Sequence, residues 1–177
     1  GAHADSMLFS STAQQTTLLE LYTSEGCSSC PPADQWLSQF KNNPLLWKQI
    51  VPVAFHVDYW NYLGWRDRFS SPDFSRRQRL YKEHGKVKTV YTPGITLNGK
   101  EWRGWFGNKT LPHTSNTEAG ILKAVLDNKN ASVEFEPSKY SRKPLNLNIA
   151  LLGFNLENDI SSGENSGQKL NHDFVVL

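Results

Sequence analysis

Apolar positions along this chain follow two rhythms. "TTLLELYTS" (residues 16–24) is a short apolar block rich in strand-forming residues that ends at Gly26. "IVPVAFHVDYW" (50–60) is a second block, apolar on both faces, as a buried strand is. Between them, "PPADQWLSQFKN" (31–42) sets Trp36, Leu37 and Phe40 at helical spacing. "SPDFSRRQRLYKEHG" (71–85) predicts a second helix, with Ser71 as N-cap, Pro72 in the first turn and Gly85 as the stop. In "TPGITLNGKEWRGW" (92–105) the pair Asn98-Gly99 predicts a hairpin. "TEAGILKAVLDNK" (117–129) places Ile121, Leu122, Val125 and Leu126 on one helical stripe and predicts a third helix. Strand, helix, strand, helix, hairpin, helix is the order of an α/β fold around one sheet. A right-handed crossover lays the first two strands parallel.

From about residue 131 the pattern turns to strands alone. "SVEFEP" (132–137), "LNLNIALLGF" (145–154) and "LNHDFVVL" (170–177) are strand-like, and Leu145, Leu147, Ile149 and Leu151 alternate with other residues as if one face were buried. "ENDISSGENSGQK" (157–169) reads as a long polar turn. Three parts are expected: residues 1–15, a cloning remnant to about Ser6 and a flexible segment; a domain over 16–130; and a small β-rich extension over 131–177 packed on it. The chain closes on the apolar strand-like "FVVL", which carries no capping residues.

The formal net charge of +2 is near balance and gives no strong pull toward nucleic acid or a membrane surface. The basic run "RRQRLYKEHGKVK" (76–88) has acids beside it and reads as a solvated helix face. No apolar run is long enough to span a bilayer.

The chemistry gathers in "YTSEGCSSCPPAD" (22–34), which holds both cysteines of the chain, spaced C-x-x-C. Two cysteines placed at random take that spacing roughly once in 90. The pair lies between a strand end and a helix start, where unpaired N–H groups and aligned peptide dipoles favour a thiolate. Cys27 is then the attacking thiolate and Cys30 the residue that resolves a mixed disulfide. Pro31 is expected to push Cys30 away from helical angles. Zinc would need four ligands, and His56, His84, His113 and His172 are scattered, so no metal is assigned. A structural disulfide closing so small a loop would stabilise little.

Thr92-Pro93 precedes a strand far along the chain. A proline there is able to be cis, and its rigid loop to present backbone groups to an extended peptide. Its place after C-x-x-C, helix, strand and helix matches the thioredoxin layout. Supporting groups are Glu20 on the first strand, a candidate proton shuttle, and Asp58 at the end of the second strand, a relay or an N-cap. His56, two residues before Asp58, shares its face and reads as a core histidine, whereas Glu25 beside Cys27 would oppose thiolate formation. The aromatic run "DYWNYLGW" (58–65) belongs to the core or lines a groove by the cysteines.

The segments "ELYTSEGCSSCPPAD" (20–34), "FHVDYWNYLGWRD" (55–67), "SSPDFSRRQRLY" (70–81) and "VYTPGITLNG" (90–99) closely resemble an uncharacterised, secreted, thioredoxin-like family of bacteria with relatives in plants. The resemblance covers most of residues 18–177. It implies a thioredoxin-like fold, a mixed central sheet flanked by helices with a C-terminal β appendage, and an exported location, periplasmic or secreted. It matches Cys27 and Cys30 to the thioredoxin active-site pair and Pro93 to the facing cis-proline. Gly26 stands where thioredoxin has an aromatic, and Ser28-Ser29 where it has Gly-Pro. The resemblance implies no particular reaction; the leading reading of the residues themselves is thiol–disulfide exchange on protein or small-molecule thiols, with the redox-active disulfide as the only cofactor. Two other readings stay open: a copper-binding protein using Cys27, Cys30 and a histidine such as His56, and a non-catalytic interaction module.

Overall fold

The computed structural model describes residues 5–112 and 116–177. His113 and residues 1–4 of the expected cloning remnant lie outside them. The chain runs through β1 (Met7–Ser10), β2 (Thr17–Thr23), α1 (Pro31–Ser38), a 3-10 turn (Gln39–Asn42), β3 (Ile50–His56) and α2 (Pro72–Glu83). It continues through β4 (Gly94–Leu97), β5 (Lys100–Glu101), β6 (Gly120–Leu126), β7 (Ala131–Pro137), β8 (Leu152–Gly153), β9 (Leu156–Asp159), β10 (Lys169–His172) and β11 (Val175–Val176).

The fold is a mixed α/β arrangement on a six-stranded sheet of order β5-β4-β2-β3-β11-β8. β2 and β3 pair in parallel over their full length, from Thr17 with Ile50 to Thr23 with His56, as the crossover rule requires. β4 runs antiparallel to β2 and forms a hairpin with β5. Asn98 (φ 48°) and Gly99 (φ 77°) make its turn, because both central positions of this turn type need positive φ. Strand alternation then divides the sheet into two faces. Leu19, Leu21 and Ala54 pack with Ala33 and Leu37 of α1, Phe40, Ile50, Ile95 and Phe174 in the main core. On the other face Tyr22 stacks on Phe55, which meets Phe74 of α2. α2 begins as expected, with Ser71 in extended backbone and its Oγ accepting from Asp73 N–H.

The third predicted helix is not formed; residues 120–126 are strand β6, paired with β1 on one side and β7 on the other. The helical stripe concealed a period of two. Leu122, Ala124 and Leu126 share a face with Phe135, Val133, Phe9 and Met7 across the ladders. Asp127 accepts from the N–H groups of Lys129 and Asn130 and so reverses the chain into β7. Two neighbouring strands and a tight turn outweigh intrinsic helix preference. β1 lies inside the segment expected to be flexible.

The C-terminal stretch also differs from its pattern. Leu145, Leu147, Ile149 and Leu151 are exposed, and strand structure begins only at Leu152, because no described strand pairs with residues 145–151. The predicted polar turn contributes to the β9-β10 pair, with Lys169 opposite Asp159 and His172 opposite Leu156. β11 enters the central sheet itself, Val175 pairing in parallel with Ala54 of β3 and antiparallel with Gly153. Residues 131–177 thus supply two strands of the main sheet where the sequence pattern suggests a packed-on extension.

Candidate functional site

Cys27 and Cys30 are joined in a disulfide, their Cα atoms 5.4 Å apart. Cys27 is 4% exposed and Cys30 0%, while Ser28 and Ser29 between them face solvent. Cys30 is the N-cap of α1 and has helical angles, φ −80° and ψ −35°, despite preceding Pro31. Its carbonyl accepts from both Ala33 N–H (2.9 Å) and Asp34 N–H (3.0 Å), and these two bonds hold the turn against the steric preference of a pre-proline residue. The loop before it is held from outside by Asn165, whose Nδ2 donates to the carbonyls of Glu25 (2.8 Å) and Cys27 (2.9 Å).

The Thr92–Pro93 peptide bond is cis, as the sequence allowed. Tyr22 pairs with Gly94, so the loop carrying Pro93 stands beside the carboxyl end of β2, from which the cysteine loop departs. Trp60 joins the two loops. Its Nε1 donates to Thr92 Oγ1 (2.7 Å), and a Cβ on Gly26 would come within 3.1 Å of the Trp60 Cβ. Glycine before Cys27 therefore makes room for a tryptophan brought from another segment. Of the aromatic run, Trp60 and Trp65 are half-buried and Tyr62 is 77% exposed.

The supporting groups separate. Glu20 is buried on the α2 face, where it accepts from Arg77 Nε (2.6 Å), Tyr81 Oη (2.7 Å), Thr96 Oγ1 (3.0 Å) and Tyr22 Oη (3.1 Å). Alternation turns it to the face opposite α1 and the cysteines. Asp58 is also held by α2, its backbone N–H and carboxylate both bonded to Ser75 Oγ. Neither is joined to the cysteine loop by any of these contacts.

His56 and Glu25, in contrast, belong to a buried ionisable cluster behind the α1 N-terminus. His56 Nδ1 lies 2.6 Å from Asp67 Oδ2, and Asp67 also accepts from Glu25 N–H (2.9 Å) and Phe69 N–H (2.9 Å). The Glu25 carboxylate accepts from Asn158 Nδ2 (2.9 and 3.0 Å) and Trp65 Nε1 (3.2 Å), and it faces His172 Nε2 at 2.9 Å. Asp34 accepts from Thr23 Oγ1 (2.7 Å), and its other oxygen lies 3.7 Å from His172 Nδ1. The imidazoles of His56 and His172 meet edge to face, centroids 4.8 Å apart.

Burial raises the Asp34 carboxyl above the ordinary carboxylate range, against the opposing pull of His172 and His56. Burial works against a charged His56, but Asp67 beside it overrides this and raises the imidazole. Asp67 is lowered, because His56 and the two backbone donors outweigh its burial.

Asp34, Asp67 and His172 were missed in the sequence. Asp34 had one signal, its place one helical turn after Cys30. Asp67 and His172 reach the cluster only through tertiary folding. Among the described residues no group of three or more His, Cys, Asp or Glu is arranged to hold a metal ion, and no helix is long and apolar enough to cross a membrane.

The profile of the family described as "Protein of unknown function (DUF1223)" matches residues 18–177. The chain belongs to this family. It is also similar to an X-ray crystal structure of a protein from Agrobacterium tumefaciens, at 41% sequence identity and a TM-score of 0.44. That similarity covers 52% of this chain and 41% of the Agrobacterium chain. Comparison with curated proteins gave no match.

Proposed function

We propose that this protein is a thiol–disulfide oxidoreductase of an exported compartment, built on a thioredoxin-like arrangement, with Cys27 as the attacking sulfur and Cys30 as the resolving one. The observation that carries this reading is the Cys27–Cys30 disulfide at the N-terminus of α1, with the Thr92–Pro93 loop at the carboxyl end of β2, from which the cysteine loop departs. Helix-terminal N–H groups favour thiolate there, and Cys27, the less enclosed of the two, meets the substrate sulfur. Thr92 and Pro93 position an extended protein or small-molecule disulfide. An oxidising compartment keeps such a pair closed between turnovers.

The test is the equilibrium reduction potential of the pair, by thiol trapping across a graded dithiothreitol or glutathione series, together with exchange activity. A value between roughly −270 and −120 mV, and loss of exchange in Cys27→Ser, is expected. A potential far below about −300 mV, or full activity in Cys27→Ser, would overturn the reading.

A second reading has its own observation. Met7, Phe9, Leu122, Leu126 and Phe135 line one face of the β1-β6-β7 sheet and are all exposed, which suits an interaction module. On that reading, a double Cys27→Ser, Cys30→Ser variant binds its partner unchanged.

A further inference from the structure

His172 Nδ1 is buried and without a hydrogen-bond partner among the described residues, and Asp34 Oδ2 stands 3.7 Å from it. His172 Nε2 faces the Glu25 carboxylate, which already accepts from Asn158 and Trp65 and is an acceptor only. Nε2 therefore carries a hydrogen, and Nδ1 is left facing a carboxylate oxygen just beyond hydrogen-bond distance. A buried imidazole nitrogen and a buried carboxylate oxygen this close are satisfied together by one proton shared between them. Asp34 is 7% exposed and His172 2%. Both line a cleft of about 110 Å³ where α1 meets β10, with Pro31, Gln35 and Lys169 at its rim, so the pair has a route to solvent.

Asp34 also follows Cys30 by four residues on α1, with its N–H bonded to the Cys30 carbonyl, and side chains at that spacing share a helix face. Cys30 itself is fully enclosed. We infer that Asp34, sharing its proton with His172, is the acid and base for Cys30 during exchange, with the α1–β10 cleft as the route by which that proton is replaced. The inference rests on the exchange reading above.

In the opening direction a substrate dithiol's thiolate attacks Cys27 Sγ, the Sγ–Sγ bond breaks, and its electron pair leaves on Cys30 Sγ. Asp34 gives that sulfur its proton and is reprotonated through His172 and the cleft. The second substrate thiolate then attacks the mixed disulfide and releases Cys27 as thiolate. The protein disulfide has gained two electrons, and the substrate has become a disulfide. In the closing direction the Cys27 thiolate attacks a substrate disulfide and expels one of its sulfurs as thiolate; the Asp34 carboxylate then takes the Cys30 proton, and the Cys30 thiolate attacks Cys27 Sγ and expels the second substrate sulfur as thiolate. The groups facing the pair set its charge. They are Glu25 from the cysteine loop, His56 from β3, Asp67 from the loop before α2, and Lys169 from β10, which is paired with Glu157. Thr23 on β2 fixes the other Asp34 oxygen.

The test uses dithiothreitol to open the disulfide and oxidised glutathione to close it, followed by stopped-flow tryptophan fluorescence from pH 5 to 8. No physiological substrate is needed, so the relay is tested even if the exchange reading fails on reduction potential or on Cys27→Ser. Asp34→Asn keeps the shape and the Thr23 contact but carries no proton. It is expected to slow closure tenfold or more and to flatten its pH profile, with Asp34→Glu restoring part of both. His172→Gln is expected to shift the profile as well, and it keeps the test open should Asp34→Asn not fold. Wild-type rates in both variants would overturn the relay. So would a uniform slowing with the pH profile unchanged, which is the mark of a structural role only.

Discussion

Two buried carboxylates, Glu20 and Asp34, lie on opposite faces of the same sheet and have opposite surroundings. Glu20 is held by a permanent cation, Arg77, and three hydroxyls, so both its oxygens are taken by donors. Asp34 has one hydroxyl, and its other oxygen faces an imidazole nitrogen that has no hydrogen-bond partner among the described residues. An arginine partner is charged at every accessible pH and has no proton to exchange; a histidine partner is able to give one up and take it back. Burial alone is therefore a poor guide to which acid does chemistry. The ionisation of its partners decides.

The strongest way to break the comparison is to remove the permanent cation. Arg77→Leu leaves Glu20 buried without its counter-charge. Half-exposed Arg77 retains water, so the cost should fall at the lower end of the range for breaking buried pairs, about 3 kcal/mol. A lower urea midpoint with unchanged slope checks it, and exchange by the remaining folded protein should be unaffected. A loss of only a few tenths would mean that the Arg77–Glu20 contact contributes little to the fold.

Asp34→Asn should act with the opposite sign. Folded Asp34 holds its proton more tightly than the unfolded chain does, so its contribution is complete below the unfolded value of about 3.9 and is lost as pH rises through the raised folded value. Asparagine does not titrate. The variant should gain stability over wild type as pH increases from 4 toward 8, read as a widening gap between urea midpoints. His56 and Asp67 add a second window. The raised His56 contributes fully below about 6.5 and loses its contribution as pH climbs through its folded value. The lowered Asp67 contributes above about 3.9 and loses it as pH falls through its folded value. Wild-type stability should thus peak between about pH 4 and 6.5, and a maximum above pH 8 would contradict the assigned directions.

The sequence made one half of this contrast legible and hid the other. Local chemistry was readable: C-x-x-C before a proline-led helix, Ser71 capping α2, and Asn98-Gly99 turning a hairpin all act within a few residues. Glu20 could be picked out as a buried acid, but strand alternation, once the register is known, turns it away from the cysteines. His172 lies 138 positions beyond Asp34 and reaches it only because β10 packs on α1. Residues 120–126 fit a helical stripe and a two-residue alternation equally well, and β1 and β7 as neighbours settled it.

The smallest expected effect sharpens the contrast from outside. Asp73 and Arg76 form an ion pair one turn apart at the start of α2, both well exposed. Water screens such a pair and side-chain entropy opposes it, so Arg76→Gln should change stability by about 0.3 kcal/mol or less, and 0.5 M salt should erase even that. Arg76 and Arg77 are adjacent in sequence, carry the same charge and each contact a carboxylate. A tenfold difference between their effects in matched urea titrations would locate the stabilisation in the dry surroundings of Glu20. Equal effects would place it in the helix rather than in the buried pair.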